Sequence, residues 1–356
     1  MLARALRDRL TVAEAAHTSL AATATGATLP TPHRSDADGP LCAASSVPVG
    51  AAVDPDLLER DAAYAATLLR EFNAITPENA LKWGPVHPAP HRWHFDPADR
   101  LVEFAEAHRL RIHGHVLVWH RQLPGWLTPA LSRRAVAQAL ASHVETLVGR
   151  YAGRIAAWDV LNEAVADDGR RLRDTFFLRT CGAGHIAEAF RLAHAADPGA
   201  RLYYNDYGAE GAGPKSDAVY ALVRRLLDEG VPVHGVGLQM HLRATRPPEP
   251  AAIRTNVARL RALGLEIRIS EMDVRIRRVR QGDPLARQRL VYQDAIAACV
   301  GMSGFTDVTF WGVTDAHSWI HRAFGKDAPL LFDRDYAPKP AYFGVRAALA
   351  TRQKDV

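Results

Sequence analysis

The sequence predicts an α/β protein, a single (β/α)8 (TIM) barrel preceded by a short N-terminal extension. Two observations support this prediction. From Val47 onward, short apolar runs alternate with amphipathic helical stretches, and eight such pairs follow one another. The chain has 356 residues, a length at which α/β barrels fold as one domain. An open doubly wound sheet is disfavoured because no glycine-rich phosphate loop follows the first strand.

Each predicted strand is a short apolar run bounded by polar or turn-forming residues. The strands span residues 48–52, 74–76, 111–118, 156–161, 201–205, 235–238, 266–270 and 308–311. Between and after them, apolar residues recur at helical spacing. These helices span residues 55–72, 98–107, 132–151, 186–195, 215–229, 250–263, 284–300 and 342–349. Eight strands, each followed by a helix, satisfy the strand count of the barrel.

Residues 1–46 are rich in Ala, Thr, Pro and Asp. We expect them to form an extension or linker before a barrel domain that spans residues 47–350. Leucines at helical spacing predict a short helix at the start of this extension, namely Leu2, Leu6 and Leu10. Charged residues interrupt the same stretch, so it makes a poor signal peptide.

The composition excludes several classes of partner. The chain is 48% hydrophobic and 23% charged, as is usual for a soluble globular protein. Its net charge of +5 comes from dispersed arginines rather than a basic run interleaved with aromatics, which argues against nucleic acid binding. No apolar stretch approaches membrane-spanning length. The three cysteines stand far apart without a CxxC pair.

Two glutamates each close a strand-like run. Glu163 ends the run over residues 155–163, and Glu271 ends the run over residues 265–271. In one parallel barrel both carboxylates arrive at the same rim, where such barrels place their active sites. Two carboxylates facing one cleft are the minimum equipment for cleaving a glycosidic bond. Either glutamate alone is better explained as a cap, but the pair with its neighbours predicts a hydrolytic site.

Polar and aromatic residues also follow almost every other predicted strand. They include Glu78, Asn79, Lys82 and Trp83, then His115, Trp119 and Gln122, then Asn162, Asn205, Asp206, Tyr207, Gln239, His241, Asp273, Trp311, Asp315 and Trp319. The requirements of folding alone would not gather such residues at the carboxyl ends of the strands. This pattern predicts one polar cleft at the rim.

Taken together, these segments resemble glycoside hydrolase family 10, whose members are mostly endo-β-1,4-xylanases. The matching stretches are Phe72–Trp83, Gly114–Trp126, Trp158–Ala164 (WDVLNEA), Leu202–Tyr207, Gly235–Leu242, Ile269–Val274 (ISEMDV) and Phe310–Trp319. The resemblance runs from about Val47 to Leu349 in the right order. Any one motif would be weak, but the ordered set is highly specific.

The resemblance implies a retaining endo-β-1,4-xylanase that cleaves β-1,4-xylosidic bonds in xylan by double displacement through a covalent glycosyl-enzyme intermediate. It makes Glu163 the acid/base and Glu271 the nucleophile. A general acid needs a raised pKa, and the negative charge of Glu271 would help to raise that of Glu163. The resemblance also implies that His241 donates to Glu271, that Asp273 orients the His241 ring, and that Asn162 bonds the sugar 2-hydroxyl.

Outside that context, His241 would be a satisfied structural histidine and Asn162 a helix cap. The resemblance further implies substrate-binding residues at Glu78, Asn79, Lys82, His115, Trp119, Gln122, Gln239, Trp311 and Trp319. Sugar hydroxyls need polar partners, and the CH faces of sugars stack on indole rings. By contrast, Trp83 and Trp158 are predicted to lie in the core.

The sequence departs from the family pattern at three points. Cys299 lacks the partner with which family members often form a disulfide. Arg121 replaces a small residue, and Arg322 lies in an unusually basic last rim loop. Both arginines either contact acidic xylan branches or face solvent, and we favour solvent.

Two other functions compete with this one. His113 and His115 form an HxH pair like that of barrel metallohydrolases, which would need further ligands such as His241, Asp273 and Asp315. The pair lies on the third strand rather than the first, which counts against a metal site. The other hypothesis is a catalytically inert carbohydrate-binding barrel. Degenerate relatives usually lose one catalytic carboxylate, whereas this chain retains both.

The expected partners are xylan or xylo-oligosaccharides. We expect a monomer that uses no cofactor or metal and binds neither nucleic acid nor membranes. A polymeric substrate favours a secreted or periplasmic enzyme. The poor signal peptide leaves room for a cytoplasmic enzyme that acts on imported fragments.

Overall fold

Parallel strands close into a barrel in the computed structural model, which describes residues 39–350. The strands are β1 Val49–Val53, β2 Ala74–Pro77, β3 Arg111–Val118, β4 Ala157–Asn162, β5 Arg201–Asp206, β6 Gly235–Leu238, β7 His241–Arg243, β8 Glu266–Arg275 and β9 Phe305–Phe310. The barrel closes where β1 pairs with β9. The predicted eight-stranded (β/α)8 barrel is therefore confirmed. The helix predicted around Leu2, Leu6 and Leu10 lies outside the described residues.

The short strand β7 is an addition to the eight barrel strands. The barrel runs directly from β6 to β8, with Gly235 opposite Glu266. Strand β7 pairs only with the outer half of β8, with His241 opposite Asp273. The outer half of β8 therefore has its own parallel partner above the barrel rim.

Helices lie between the strands on the outside of the barrel. They are α1 Pro55–Arg60, α2 Ala62–Glu71, α3 Trp83–Val86, α4 Asp96–His108, α5 Arg133–Arg150, α6 Phe176–Cys181, α7 Gly184–Ala196, α8 Pro214–Asp228, α9 Pro250–Arg261, α10 Pro284–Ala297, α11 Ile320–Phe324 and α12 Pro340–Leu349. None in the described part of the chain is both long and apolar enough to cross a membrane.

One helix predicted as continuous is in fact two helices. The stretch over residues 55–72 forms two helices, because Asp61 between them has an extended backbone and its side chain accepts from the Tyr64 amide. Such an N-cap satisfies an amide that would otherwise lack a partner. The three short helices α3, α6 and α11 were not predicted, since a helix of one or two turns shows no clear periodicity.

Strand β8 continues to Arg275, beyond its predicted end at residue 270. Glu271 therefore lies within a strand instead of closing one. The register against β9 shifts between Ile269 and Met272, as in a β-bulge. Because of this shift, Ser270 and Glu271 both reach the barrel interior, where each bonds the side chain of Asn205. Without a bulge, adjacent strand residues would point to opposite faces.

The two ends of the described chain meet at one buried carboxylate. The Leu41 amide donates to Oε2 of Glu71 at 3.1 Å, and the Tyr342 hydroxyl donates to the same oxygen at 2.9 Å. Arg346 Nε donates to the carbonyl of Gly39 at 2.9 Å. The last helix is thus tied to the first described residues.

Trp83 and Trp158 are buried, which confirms their predicted place in the core. Trp158 is 0% exposed, and its ring lies directly against the backbone of Gly114. A Cβ atom at position 114 would stand 2.2 Å from Cε3 of Trp158. Real Cβ atoms do not approach an aromatic carbon so closely, so the ring can stay in place only if residue 114 is glycine.

We predict that Gly114→Ala lowers the free energy of unfolding by about 1–3 kcal/mol, because the added methyl group overpacks a rigid core. Urea denaturation followed by circular dichroism measures this change. The control is Gly149→Ala in α5, where an added Cβ meets nothing within 4 Å. That change should stabilise the protein by roughly 0.5–1 kcal/mol. Wild-type stability in Gly114→Ala would contradict the proposed packing.

Candidate active site

The two candidate glutamates both lie at the carboxyl rim of the barrel. Glu163 directly follows β4, and its amide donates to the carbonyl of Asn205 at 2.9 Å. Glu271 lies in β8, and its amide donates to the carbonyl of Gln239 at 3.2 Å. Their exposures are only 8% and 4%. Two buried carboxylates thus face the same end of the barrel, where parallel barrels carry their chemistry.

Asn205 fixes one oxygen of Glu271. Its Nδ2 donates to Oε1 of Glu271 at 2.6 Å, and its own Oδ1 accepts from the Ser270 hydroxyl at 2.6 Å. A Cβ at Gly237 would lie 2.2 Å from that Oδ1. Glycine at this position therefore makes room for the amide. The side chain of Asn205 has one orientation that satisfies both of its neighbours.

Asn162 lies between the two glutamates. In one amide orientation its Oδ1 accepts from Asn205 at 3.0 Å and from Gln239 at 2.9 Å, and its Nδ2 donates to Oε1 of Glu163 at 3.4 Å. In the other, Oδ1 accepts from the Trp119 indole at 3.3 Å and Nδ2 donates to the Asn205 carbonyl at 3.1 Å. Either orientation holds Asn162 in the rim, beside Glu163.

The second oxygen of Glu271 is held by His241. Its Nε2 donates to Oε2 of Glu271 at 3.2 Å, and its Nδ1 donates to Oδ2 of Asp273 at 2.8 Å. The Trp319 indole donates to the same Asp273 oxygen at 2.8 Å. Asp273 therefore anchors both the imidazole and the indole.

These contacts set the charge of the site. Burial would lower the pKa of His241, but Asp273 and Glu271 outweigh it and raise that pKa to about 10. Burial would raise the pKa of Glu271, but the nearby His115 and the hydrogen bond from His241 bring it below its usual range. Glu271 is therefore an ionised carboxylate beside a cationic imidazole at neutral pH.

His113 and His115 share a single buried carboxylate. Nε2 of His113 and Nδ1 of His115 each lie 2.9 Å from an oxygen of Asp159. Within residues 39–350, no group of three or more His, Cys, Asp or Glu side chains is placed to hold a metal ion. Both histidines therefore belong to a cluster of acidic and basic side chains beneath Glu271. Nδ1 of His115 lies 3.9 Å from Oε1 of Glu271.

The loops after β2 and β3 form a polar wall beside the glutamates. Lys82 Nζ donates to Oδ1 of Asn79 at 3.1 Å and lies 4.8 Å above the Trp119 ring. Gln122 donates to the same Asn79 oxygen at 3.3 Å. Burial lowers the pKa of Lys82, against the opposing effect of Glu271 and other carboxylates. This wall combines hydrogen-bonding groups with an indole face.

The remaining predicted residues complete this rim. Burial raises the pKa of Glu78, beside Lys82. Trp311 is nearly buried, with its ring 5.0 Å from that of His115. Trp319 is partly exposed, and its ring lies 5.0 Å from that of His241. The structure therefore brings the predicted site residues together at one end of the barrel.

Three participants were missed by sequence reasoning. Asn205 stood in a noted strand-end motif but was not selected, and Asp159 lies in a strand whose inward face could not be assigned. Arg173 gave no signal, since it lies in a loop. Its Nε donates to the Glu163 carbonyl at 2.9 Å and its Nη2 to the Val165 carbonyl at 3.1 Å. Glu163 has a φ of 59°, unfavourable for a residue with a side chain, so Arg173 braces a strained backbone.

Comparisons with known proteins agree with this geometry. A family model described as "Glycosyl hydrolase family 10" matches residues 40–348. The chain is 39% identical over 302 residues to endo-1,4-beta-xylanase B of Thermotoga neapolitana, a match that covers 82% of this chain and 85% of that protein. It is 38% identical over 296 residues to beta-1,4-xylanase of Dictyoglomus thermophilum, covering 79% and 83%.

Solved structures give the same result. Native xylanase 10B from Thermotoga maritima superposes with a TM-score of 0.83 at 39% identity, covering 87% of this chain and 96% of that one. Xylanase 10B from Thermotoga petrophila RKU-1, in complex with xylobiose, superposes with a TM-score of 0.82 at 37% identity, covering 91% and 98%.

The raised pKa of His241 predicts a pH dependence of stability. A cation stabilised in the folded state contributes fully below the unfolded pKa of 6.5 and is lost as pH rises through about 10. Between these values the free energy of unfolding should fall more steeply in the wild type than in His241→Gln. The slopes should differ by at most about 1.4 kcal/mol per pH unit. Urea titrations across this range measure them, with exposed His94→Gln as control. Parallel curves for the wild type and His241→Gln would contradict the assignment.

Proposed function

The chain belongs to glycosyl hydrolase family 10, and we propose from this membership that it is a retaining endo-β-1,4-xylanase. It hydrolyses β-1,4-xylosidic bonds in xylan or xylo-oligosaccharides. The observation that carries this conclusion is a family match over residues 40–348, joined to two buried carboxylates on one rim. The inert-barrel alternative has no support, because both carboxylates are present and surrounded by donors. The metallohydrolase alternative lacks a free set of ligands within residues 39–350.

Glu271 is the nucleophile of this proposal. A carboxylate oxygen attacks the anomeric carbon and forms a covalent glycosyl-enzyme bond while the bond to the leaving oxygen breaks. Its lowered pKa and its two hydrogen-bond donors, Asn205 and His241, support the role. Both donors also hold the carboxylate in one rotamer, which lowers the entropic cost of reaching the transition state.

Glu163 is the acid/base of this proposal. It gives its proton to the leaving oxygen in the first step, and then takes a proton from the water that hydrolyses the intermediate. Its carboxylate lies 3.8 Å from Nδ1 of His120, and Arg173 fixes its backbone. Arg173 thus holds the backbone of Glu163, while Gln239 donates to its carboxylate at 3.4 Å.

The sugar contacts are proposed from the same rim. Asn162 bonds the 2-hydroxyl, a contact that strengthens as positive charge develops at the anomeric carbon. Further contacts come from Glu78, Asn79, Lys82, His115, Trp119, Gln122, Gln239, Trp311 and Trp319. The hydrogen bonds from Lys82 and Gln122 to the same Asn79 oxygen support this arrangement, because they hold three polar side chains together beside the glutamates.

We further propose that residues 47–350 are the catalytic domain and residues 1–46 an extension. The last residues of this extension pack on the barrel, since Leu41 is fully buried. We also propose that the protein is a monomer and that it binds neither nucleic acid nor membranes. Gel filtration with light scattering measures the oligomeric state.

The two glutamates should fail differently when replaced. Glu271→Ala should abolish hydrolysis of every substrate, since no covalent intermediate can form. Glu163→Ala should keep activity on an aryl xyloside whose leaving group needs no protonation, and should gain rate with added azide. Steady-state rates on the aryl xyloside and on xylan test both, with exposed Glu145→Ala as the control. If both variants had the same activity on the aryl xyloside, the roles assigned to Glu163 and Glu271 would be wrong.

Xylotetraose should be cleaved at least roughly tenfold faster than cellotetraose in kcat/KM, because a misplaced hydroxymethyl group in a close-packed site costs about 1–3 kcal/mol. Gln122 and Trp319 are the expected crowding residues, and Trp319 cannot retreat without breaking its bond to Asp273. Comparing both tetraoses under one set of conditions, in the wild type and in Gln122→Ser, measures the preference and its source. Equal rates in the wild type would mean a broad β-1,4-glycanase.

A further inference from the structure

A second cavity lies beside the rim and is lined mainly by arginines. It has a volume of about 250 Å³ and is bordered by Arg243, Arg275, Arg277, Arg278, Thr245, Phe324 and Asp327. We call these residues the arginine pocket. On this measure of volume one water molecule needs roughly 10–15 Å³, so the pocket has room for a much larger group. None of its residues belongs to the site described above.

The β7–β8 ladder connects the pocket to the active site. His241 pairs with Asp273, and two residues farther along both strands Arg243 pairs with Arg275. Alternate residues of a strand point to the same side. Arg243 and Arg275 therefore share a face with the residues that hold Glu271, about 7 Å farther from the barrel. A group bound to these arginines would lie beside the cleft.

Aromatic rings form a second connection. The Phe324 ring lies 5.7 Å from that of Trp319, and the Arg275 guanidinium lies 4.1 Å above the Phe324 ring. Phe324 is the last residue of α11 and is 48% exposed, a large fraction for an apolar side chain of this size. The proposed indole platform of the cleft thus continues into the floor of the pocket.

The arginines of the pocket lack anionic partners. Within the described residues, no carboxylate forms an ion pair with any of the four. Asp327 is the one acid in the lining, and its Oδ1 already accepts from the amides of Ile276, Arg277 and Ala328 at 3.0, 3.1 and 2.8 Å. Arg277 donates to the Phe324 carbonyl at 2.7 Å. Asp273 and Asp327 partly offset the charge of Arg275, whereas the charges of Arg243 and Arg278 are left to a ligand or to solvent.

Arg275 is the most constrained of these three. Its Nε is buried and has no hydrogen-bond partner. Burial lowers the pKa of Arg275, and repulsion from Arg243 adds to the effect. Two cations held side by side on adjacent strands are destabilised until an anion lies between them. Together the neighbouring guanidinium groups of Arg243 and Arg275 and the lack of ion pairs to them among the described residues indicate an anion site.

We propose that the arginine pocket binds the carboxylate of a uronic acid branch carried by the xylan chain in the cleft. This inference rests on the proposed function. A planar carboxylate matches the paired donors of guanidinium, and Phe324 offers an apolar face to the branch sugar. Binding of the branch carboxylate in the arginine pocket would make the enzyme prefer acidic xylan over neutral xylan. Arg121 and Arg322 do not line this pocket, and the solvent-facing role expected for them stays a prediction.

The test uses three substrates: xylotetraose, xylotetraose carrying one glucuronic acid branch, and the same branched compound with its carboxyl reduced to a hydroxymethyl group. The reduced compound keeps the size of the branch and removes its charge. The wild type should cleave the acidic compound about fivefold faster in kcat/KM than the reduced one, the upper range for one exposed charge pair. The preference should shrink in 0.5 M salt, since the pair is exposed to solvent.

The variant Arg243→Gln/Arg275→Gln should bring the ratio of acidic to reduced substrate close to one. Arg134→Gln, an exposed arginine on α5, is the matched control and should keep the wild-type ratio. A wild-type ratio of one, or an unchanged ratio in the double variant, would overturn the pocket assignment. Failure to cleave xylotetraose at all would instead overturn the proposed function, so the two failures are distinct.

Discussion

The rest of the site depends on keeping the buried carboxylate of Glu271 ionised. A charge in the protein interior is costly unless each of its oxygens has a donor. Asn205 supplies one donor from β5 and His241 supplies the other from β7. Asn205 in turn requires Ser270 and the absence of a side chain at Gly237. Keeping this one group ionised therefore requires particular residues on four strands, β5 to β8.

The charge of Glu271 is balanced by a column of groups that continues down the barrel. Asp307 accepts from Nε of Arg268 at 2.9 Å, and Nη1 of Arg268 lies 3.8 Å from Asp159. Burial would lower the pKa of Arg268, but these two carboxylates raise it. Acidic and basic side chains therefore alternate from the lower end of the barrel up to Glu271. Removing one member of such a column leaves another unpaired, which is more damaging than removing both.

The sequence predicted the strands well because their apolar faces pack against helices, and that packing leaves a local pattern. It failed on the outer half of β8, where polar Glu271, Asp273 and Arg275 alternate along a strand that leaves the apolar core. The bulge that brings Ser270 and Glu271 to Asn205 arises from the register between β8 and β9. That register depends on two distant segments, so it cannot be predicted from either segment alone. Arg173 was not predicted because its function lies in hydrogen bonds to the backbone of its own loop, which leave no pattern in the sequence. The family resemblance found the reacting groups, whereas their supports required tertiary structure.

The contacts of Leu41 and Tyr342 with Glu71 have a consequence for biosynthesis. Tyr342 and Glu71 are 271 residues apart, and Arg346 and Gly39 are 307 apart. Strand β1 likewise waits for β9, so the sheet on a translating ribosome keeps two open edges until the final helix has emerged. Open edges can pair with other chains, and long-range closure is slow. A ribosome stalled before Phe305 would therefore hold an open, aggregation-prone sheet, whereas a chain that also contains β9 and α12 can close its barrel.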